Sequence, residues 1–150
     1  MTRTTRQIVP IAGLLMTMAV SAYMVARMHG QTTALTADFS SAAIAEVRDA
    51  QGKVLLRGTF AVTDEADDDI ERRAVLASEG GGSGRGEAEV EISRQDRSKQ
   101  EVEFSVESLT PATALTFSID GVQVATATTD DRGHAEIELD VTMPGARDAR

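Results

Sequence analysis

From residue 42 to residue 143, apolar and polar side chains alternate with a period of two, the pattern of a strand that buries one face. Val102, Phe104 and Val106, for example, alternate with glutamates. Turn residues separate the runs, and Asp120-Gly121 between two apolar alternations predicts a type I′ hairpin. The pattern predicts about eight short antiparallel strands, several at the 8–12-residue spacing of an all-β sandwich or barrel.

Two turns share the spacing Asp-x-x-Gly, at residues 49–52 and 130–133, each just before a predicted strand. This repetition indicates either an internal duplication or one turn chemistry used twice, and the second is the more common cause. The first of these turns lies inside a predicted hairpin over residues 44–62.

The N-terminus predicts an export signal in the form of one hydrophobic helix. Arg3 and Arg6 precede an uncharged run over residues 8–26, nearly the twenty residues that a membrane span requires. The span would include Ile8, Leu14, Leu15, Val20, Tyr23 and Val25. The basic flank places the N-terminus inside and the domain outside. A cleaved signal peptide, cut after Ala22, is the alternative.

These patterns divide the chain into four parts. We expect a signal anchor or signal peptide over residues 1–27, a tether over 28–41, a β-sandwich domain over 42–143 and a disordered tail over 144–150. The expected location is a bacterial inner membrane with the domain in the periplasm or outside, or else secretion after cleavage.

Two stretches resemble a known kind of module. VESLTP from residue 106, with FSIDGV from residue 117, and TTDDRGHAEIEL from residue 128 are similar to exported bacterial immunoglobulin-like or chordin-like β-sandwiches. The similarity covers about residues 86–141, and residues 44–62 resemble the closing strands of such a module. It implies an immunoglobulin-like fold of about eight strands. It carries no catalytic residue onto this chain.

Charge and composition narrow the range of possible partners. The formal net charge is −9, and the first 37 residues hold three arginines and no acid, so the domain is strongly acidic. An acidic domain repels phosphate backbones, which argues against a nucleic-acid partner. The absence of Cys excludes disulfides and thiolate metal sites, and the few aromatic residues leave no stacking platform.

Candidate chemistry is sparse. The acidic run over residues 64–71 could gather Ca²⁺, but the spacing of an EF-hand is absent and such runs are usually solvated loops. Its candidate ligands are Asp64, Asp67, Asp68, Asp69 and Glu71. His134 beside Asp130 and Asp131 could belong to a hydrolase, but no nucleophile-elbow motif accompanies it. We therefore expect no enzyme and no cofactor.

The strongest charge pattern lies on two consecutive strands. If these strands are antiparallel neighbours, their outward carboxylates share one face, and like charges opposite each other destabilise the sheet. If the strands lie in different sheets, the acids only keep the domain soluble. The residues concerned are Glu87, Glu89 and Glu91 on the first strand and Glu101, Glu103 and Glu107 on the second.

The sequence therefore favours a non-catalytic envelope protein, a tethered or secreted β-sandwich that binds another protein or acts as a spacer. One alternative is a single-span accessory subunit of a larger membrane complex, in which small residues of the span allow close helix packing. A small envelope hydrolase is the least favoured. Divalent cations are expected to bind weakly at most.

Overall fold

The computed structural model describes residues 35–65, 69–96 and 98–144, and these residues form strands and turns without any helix. The prediction of an all-β antiparallel domain is confirmed, with ten strands in the described residues instead of about eight. The strands are β1 (Leu35–Thr36), β2 (Ile44–Asp49), β3 (Val54–Thr59), β4 (Ala61–Glu65), β5 (Asp69–Ser78), β6 (Arg85–Ser93), β7 (Lys99–Glu107), β8 (Ala114–Ile119), β9 (Val122–Thr128) and β10 (Ala135–Thr142).

All ten strands belong to one sheet. Its order is β1-β10-β7-β6-β5-β3-β2-β8-β9, and β4 pairs with β5 outside this path. Every pair is antiparallel except β1 with β10. The sheet curls until β9 approaches β10, so its two halves enclose a single core.

The core consists of the inward side chains of this curled sheet. The rings of Phe104 on β7 and Phe117 on β8 lie 5.2 Å apart, which joins the two halves of the sheet at its centre. Both rings are fully buried, as are Leu56, Val90 and Val102. Packed aromatic and aliphatic side chains of this kind supply most of the stabilisation of a small domain.

The turns form as the sequence predicts. Asp120 and Gly121 both have positive φ, at 49° and 80°, as a type I′ turn requires. In the two Asp-x-x-Gly turns the aspartate side chain accepts two backbone N–H groups, and the glycine has a φ of 79° or 76°. The two turns therefore share one turn chemistry, which accounts for both the aspartate and the glycine.

The folded domain begins earlier than the predicted boundary at residue 42. Residues 35–41, which we assigned to the tether, contain β1 and the buried ring of Phe39. The backbone N–H of Phe39 donates to Oε1 of buried Gln100 at 2.9 Å. The sequence pattern misses this segment because β1 is only two residues long, too short for a recognisable alternation.

The acidic run and its surroundings also differ from expectation. Part of the acidic run belongs to strands, because β5 extends from Asp69 to Ser78 and pairs with β4. The predicted hairpin over residues 44–62 does not reach its end as one strand, because the strand that starts at Val54 ends at Thr59. Val62 lies on β4 and is 45% exposed.

The predicted helix and its residues Ile8, Leu14, Leu15, Val20, Tyr23 and Val25 lie outside the described residues. Within the described ranges there is no apolar helix of membrane-spanning length.

Candidate functional site

The outward sides of β5, β6, β7 and β10 form one surface rich in carboxylates, which we call the acidic face. It follows from strand parity, because the inward residues of these strands fill the core and every second residue points out. Its acidic members are Asp69, Glu71, Glu87, Glu89, Glu91, Glu101, Glu103, Glu107, Glu136, Glu138 and Asp140.

The pairing register sets carboxylates directly opposite each other. Glu89 lies opposite Glu103, and Glu103 lies opposite Glu138 on its other side. One row further along, Glu101 lies opposite both Glu91 and Asp140. β6 and β7 are therefore neighbours in one sheet, and the alternative that places them in different sheets is wrong.

The electrostatic consequence is clearest at the middle strand, β7. The pKa of Glu101 is raised, first because crowding removes the carboxylate from water and then because Glu138, Glu91 and Asp140 lie nearby. The pKa of Glu103 is raised for the same leading reason, and repulsion from Glu136, Glu89 and Glu138 adds to it. At the centre of the face, partial burial and neighbouring carboxylates therefore both oppose the negative charge of these two glutamates.

Two arginines relieve part of this crowding. Arg73 on β5 bonds to Oε2 of Glu89 at 2.8 Å and to Oε1 of Glu71 at 3.1 Å. Arg85 on β6 bonds to Glu107 at 2.5 Å. These arginines lie on β5 and β6, so neither is on β7 or β10. Among the described residues, no cation forms an ion pair with Glu101 or Glu103.

Four glutamates surround a shallow depression at the middle of the face: Glu89, Glu91, Glu101 and Glu103. Its walls are carboxylates, and its floor is the hydrogen-bonded β6–β7 ladder. Such a surface attracts positive charge from solution.

The acidic run is placed at one end of this sheet. Glu71 lies on β5, where its Oε1 also accepts the hydroxyl of Thr63 at 2.9 Å, and Asp69 begins the same strand. The described residues contain no group of three or more candidate ligands that could hold a metal ion. Asp67, Asp68 and the side chain of Asp64 lie outside the described part of the chain.

His134 lies at the end of the second Asp-x-x-Gly turn and is half-buried. The Asp130 carboxylate accepts the backbone N–H groups of His134, at 2.8 Å, and of Arg132, at 2.9 Å. The pKa of Asp130 is lowered, and the backbone bond from His134 is the largest cause. This carboxylate therefore holds the turn together.

A second polar cluster, on the outward side of β2 and β3, was not predicted. Glu46 is only 6% exposed and forms ion pairs with Arg48, at 2.6 Å, and with Arg57. The pKa of Glu46 is lowered, chiefly by its hydrogen bond from Arg57. The alternation of residues 43–48 gives no sign that Glu46 is buried, because its burial depends on β3 and β8, which pair along the two edges of β2.

Comparison with known proteins yields no matching family model, no similar curated protein and no similar solved structure.

Proposed function

We propose that this chain is a non-catalytic binding protein of the bacterial envelope, whose acidic face docks a positively charged surface of a partner protein. The observation that carries the proposal is the register that sets Glu103 between Glu89 and Glu138. Like charges opposite each other cost about 0.2–1 kcal/mol per pair, so the unbound face bears a cost that a basic partner removes.

The shape of the face favours a broad partner surface over a single ion. Its carboxylates are spread over four strands that lie about 4.8 Å apart, so its width exceeds the reach of one metal ion. A set of lysines or arginines on a partner could meet several rows together. Such charge complementarity increases the rate of encounter and fixes the orientation of the partner.

The location rests on the uncharged run over residues 8–26. With Arg3 and Arg6 before it, this run supports a signal anchor that leaves the domain in the periplasm or outside, and a cleaved signal would release the same domain. In either case the acidic face would be free to meet a partner.

For the fold, we propose an immunoglobulin-like sandwich in which the two halves of the curled sheet are the two layers.

A second candidate rests on the composition of the same run. Ala12, Gly13, Ala19 and Ala22 are small, and such residues allow close packing between membrane helices. The chain would then be an accessory subunit held in a membrane complex by its helix.

Envelope hydrolysis by His134 is the weakest candidate, since the Asp130 carboxylate already accepts two backbone N–H groups.

The test is co-purification of the full chain from its own cells in mild detergent, with the chain carrying an affinity tag. We expect Glu101→Lys combined with Glu103→Lys to lose the stoichiometric partner that the wild type retains. The matched control is Asp131→Lys, a charge reversal at an exposed turn away from the face, which should retain it. Raising the salt towards 1 M should release the partner, because the Debye length falls to about 3 Å.

Retention of the partner by the doubly reversed variant would refute the role of the acidic face. If the partner is an integral membrane protein that remains bound to residues 1–34 alone, the accessory-subunit function is correct instead. Hydrolytic activity that disappears in His134→Ala, while the variant stays folded, would overturn the non-catalytic assignment.

A further inference from the structure

The curled sheet does not close. β9 ends the strand order on one side, and within the described residues it is paired only with β8. On the other side β1 pairs with β10 only at Val141 and Thr142, so the edge of residues 135–140 that faces away from β7 has no strand partner in the described chain. We call the gap between β9 and residues 135–140 the seam.

The core is incompletely covered along the seam. The inward residues of β10 at its ends, Ala135 and Val141, are 6% and 1% exposed, but Ile137 and Leu139 between them are only half-buried. Across the gap, Val124 and Ala125 of β9 are also half-buried. Inward residues of the opposite strands are almost completely buried. The seam therefore exposes apolar side chains beside a strand edge whose backbone groups have no strand partner.

A strand edge next to exposed apolar side chains is the feature that an added peptide strand uses. The peptide backbone hydrogen-bonds to the edge, and every second side chain packs against the apolar side chains. The seam supplies six consecutive edge residues, a common strand length.

The charges on β10 determine which outward side chains an added peptide strand should carry. Its outward residues Glu136, Glu138 and Asp140 are all exposed. A strand added beside β10 would place its own outward side chains in the same rows, where basic residues are favoured and acidic ones are opposed. Across the seam, β9 is uncharged, with Gln123, Thr126 and Thr128 pointing outward.

We infer that the seam binds an extended strand of another protein, in which apolar side chains alternate with basic ones. The apolar residues cover Ile137 and Leu139, and the basic residues lie beside Glu136 and Glu138. The seam can bind such a strand whether or not the rest of the acidic face docks a partner.

Two other occupants fit less well. A second copy of the chain brings a net charge of −9 and, at its own free edge β9, no basic residue. The sequence just before β1, GQTTA, contains no large apolar side chain to cover Ile137 and Leu139.

The experiment measures binding of a synthetic peptide to the full chain by fluorescence polarisation. The probe has about eight residues that alternate lysine and valine, with blocked ends and a fluorescent label. Two control peptides have the same composition with the lysines and valines in separate blocks, or have glutamate in place of lysine. We expect only the alternating lysine peptide to bind. Methylation of the peptide nitrogens that face β10 should abolish binding, because their N–H groups donate to the free edge of that strand.

A pair of matched variants separates the seam from the acidic face. Glu138→Lys lies on the strand that borders the seam, and Glu87→Lys makes the same charge change on β6, two strands away. We expect Glu138→Lys to bind the lysine peptide about two- to fivefold more weakly, the effect of one cross-strand charge pair, and to gain binding of the glutamate peptide. Glu87→Lys should leave both affinities unchanged.

Equal weakening of peptide binding by the two variants would show that the peptide binds the acidic face by charge alone, and would overturn the inference that it binds the seam. Equal binding of the blocked and alternating peptides would overturn it as well. So would peptide binding that appears only after residues 1–34 are deleted, because the chain would then fill its own seam. Dimers that are dispersed by the peptide would identify a second copy as the occupant and equally overturn the inference.

Discussion

Glu89 and Glu103 lie directly opposite each other on β6 and β7, yet their surroundings differ. Arg73 bonds to Glu89 at 2.8 Å, whereas Glu103 has a second carboxylate, Glu138, on its other side. The repulsion across this pair is therefore concentrated on Glu103. Removing one charge of the pair is not equivalent to removing the other, and this asymmetry can be measured.

Glu103→Gln should stabilise the protein, because it removes repulsion from both sides without breaking an ion pair. At neutral pH and low salt we expect the melting temperature to rise by roughly 1–4 °C, from about 0.2–1 kcal/mol of relieved repulsion. Glu89→Gln should stabilise less or destabilise, since it loses the bond to Arg73. Glu87→Gln is the control, because Glu87 lies opposite Ser105 and Val75. Identical shifts for all three variants would contradict the asymmetry.

The raised pKa values of Glu101 and Glu103 predict a pH dependence of definite sign. A carboxyl with a raised folded pKa binds more protons in the folded state, so its repulsion weakens stability as the pH rises from its unfolded pKa through its folded pKa. Urea unfolding should show the double variant Glu101→Gln/Glu103→Gln to be more stable than wild type at pH 7. This gap should close as the pH falls below about 4.3. A gap of constant size from pH 7 to pH 3 would mean that the two charges are not its cause.

Glu46 should behave in the opposite way. Its lowered pKa stabilises the folded state above the unfolded pKa, and this contribution is lost as the pH falls through the folded pKa. Glu46→Gln should reduce the free energy of unfolding at pH 7 by roughly 1–3 kcal/mol, because it weakens charged hydrogen bonds from Arg57 and Arg48.

Glu79→Gln is the control for Glu46, since Glu79 contacts the same Arg57 at 3.2 Å but is half exposed. Its loss should cost at most about 1 kcal/mol. Equal losses for the two variants would contradict the buried role of Glu46.

The two Asp-x-x-Gly turns offer a matched pair of glycine substitutions. Both glycines have a φ near 80°, so alanine is strained at either site, by about 1–2 kcal/mol. A Cβ at Gly52 meets nothing within 4 Å, but at Gly133 it would lie 1.9 Å from the backbone oxygen of Leu109. Gly133→Ala should therefore melt far below Gly52→Ala in a thermal scan. Equal melting temperatures would show that the turn moves away from Leu109 without cost.

The sequence predicts this fold best where alternation and turn residues act together. The strands from β6 to β10 and the turn at Asp120-Gly121 follow from local pattern, because the core is on one side of each strand. The pairing order was beyond the pattern, since it depends on contacts such as β3 with β5 that join distant residues. For the same reason, the outward side of each acidic strand could be predicted, but the pairing of β10 with β7, which adds a third strand of carboxylates to the face, could not.

Gln100 and β1 have a mechanical consequence. β1 runs parallel to β10, so the chain enters at the start of one strand and leaves at the end of its neighbour. A force that pulls the two ends apart then acts along both strands, and their hydrogen bonds are loaded together in shear instead of opening one by one. Two hydrogen bonds next to this contact share the load: the Phe39 N–H donates to Gln100, and the Gln100 amide donates to Asp38. If the N-terminus is held in a membrane while a partner pulls on the domain, the β1–β10 pairing and the two Gln100 hydrogen bonds must break before β10 can leave the sheet.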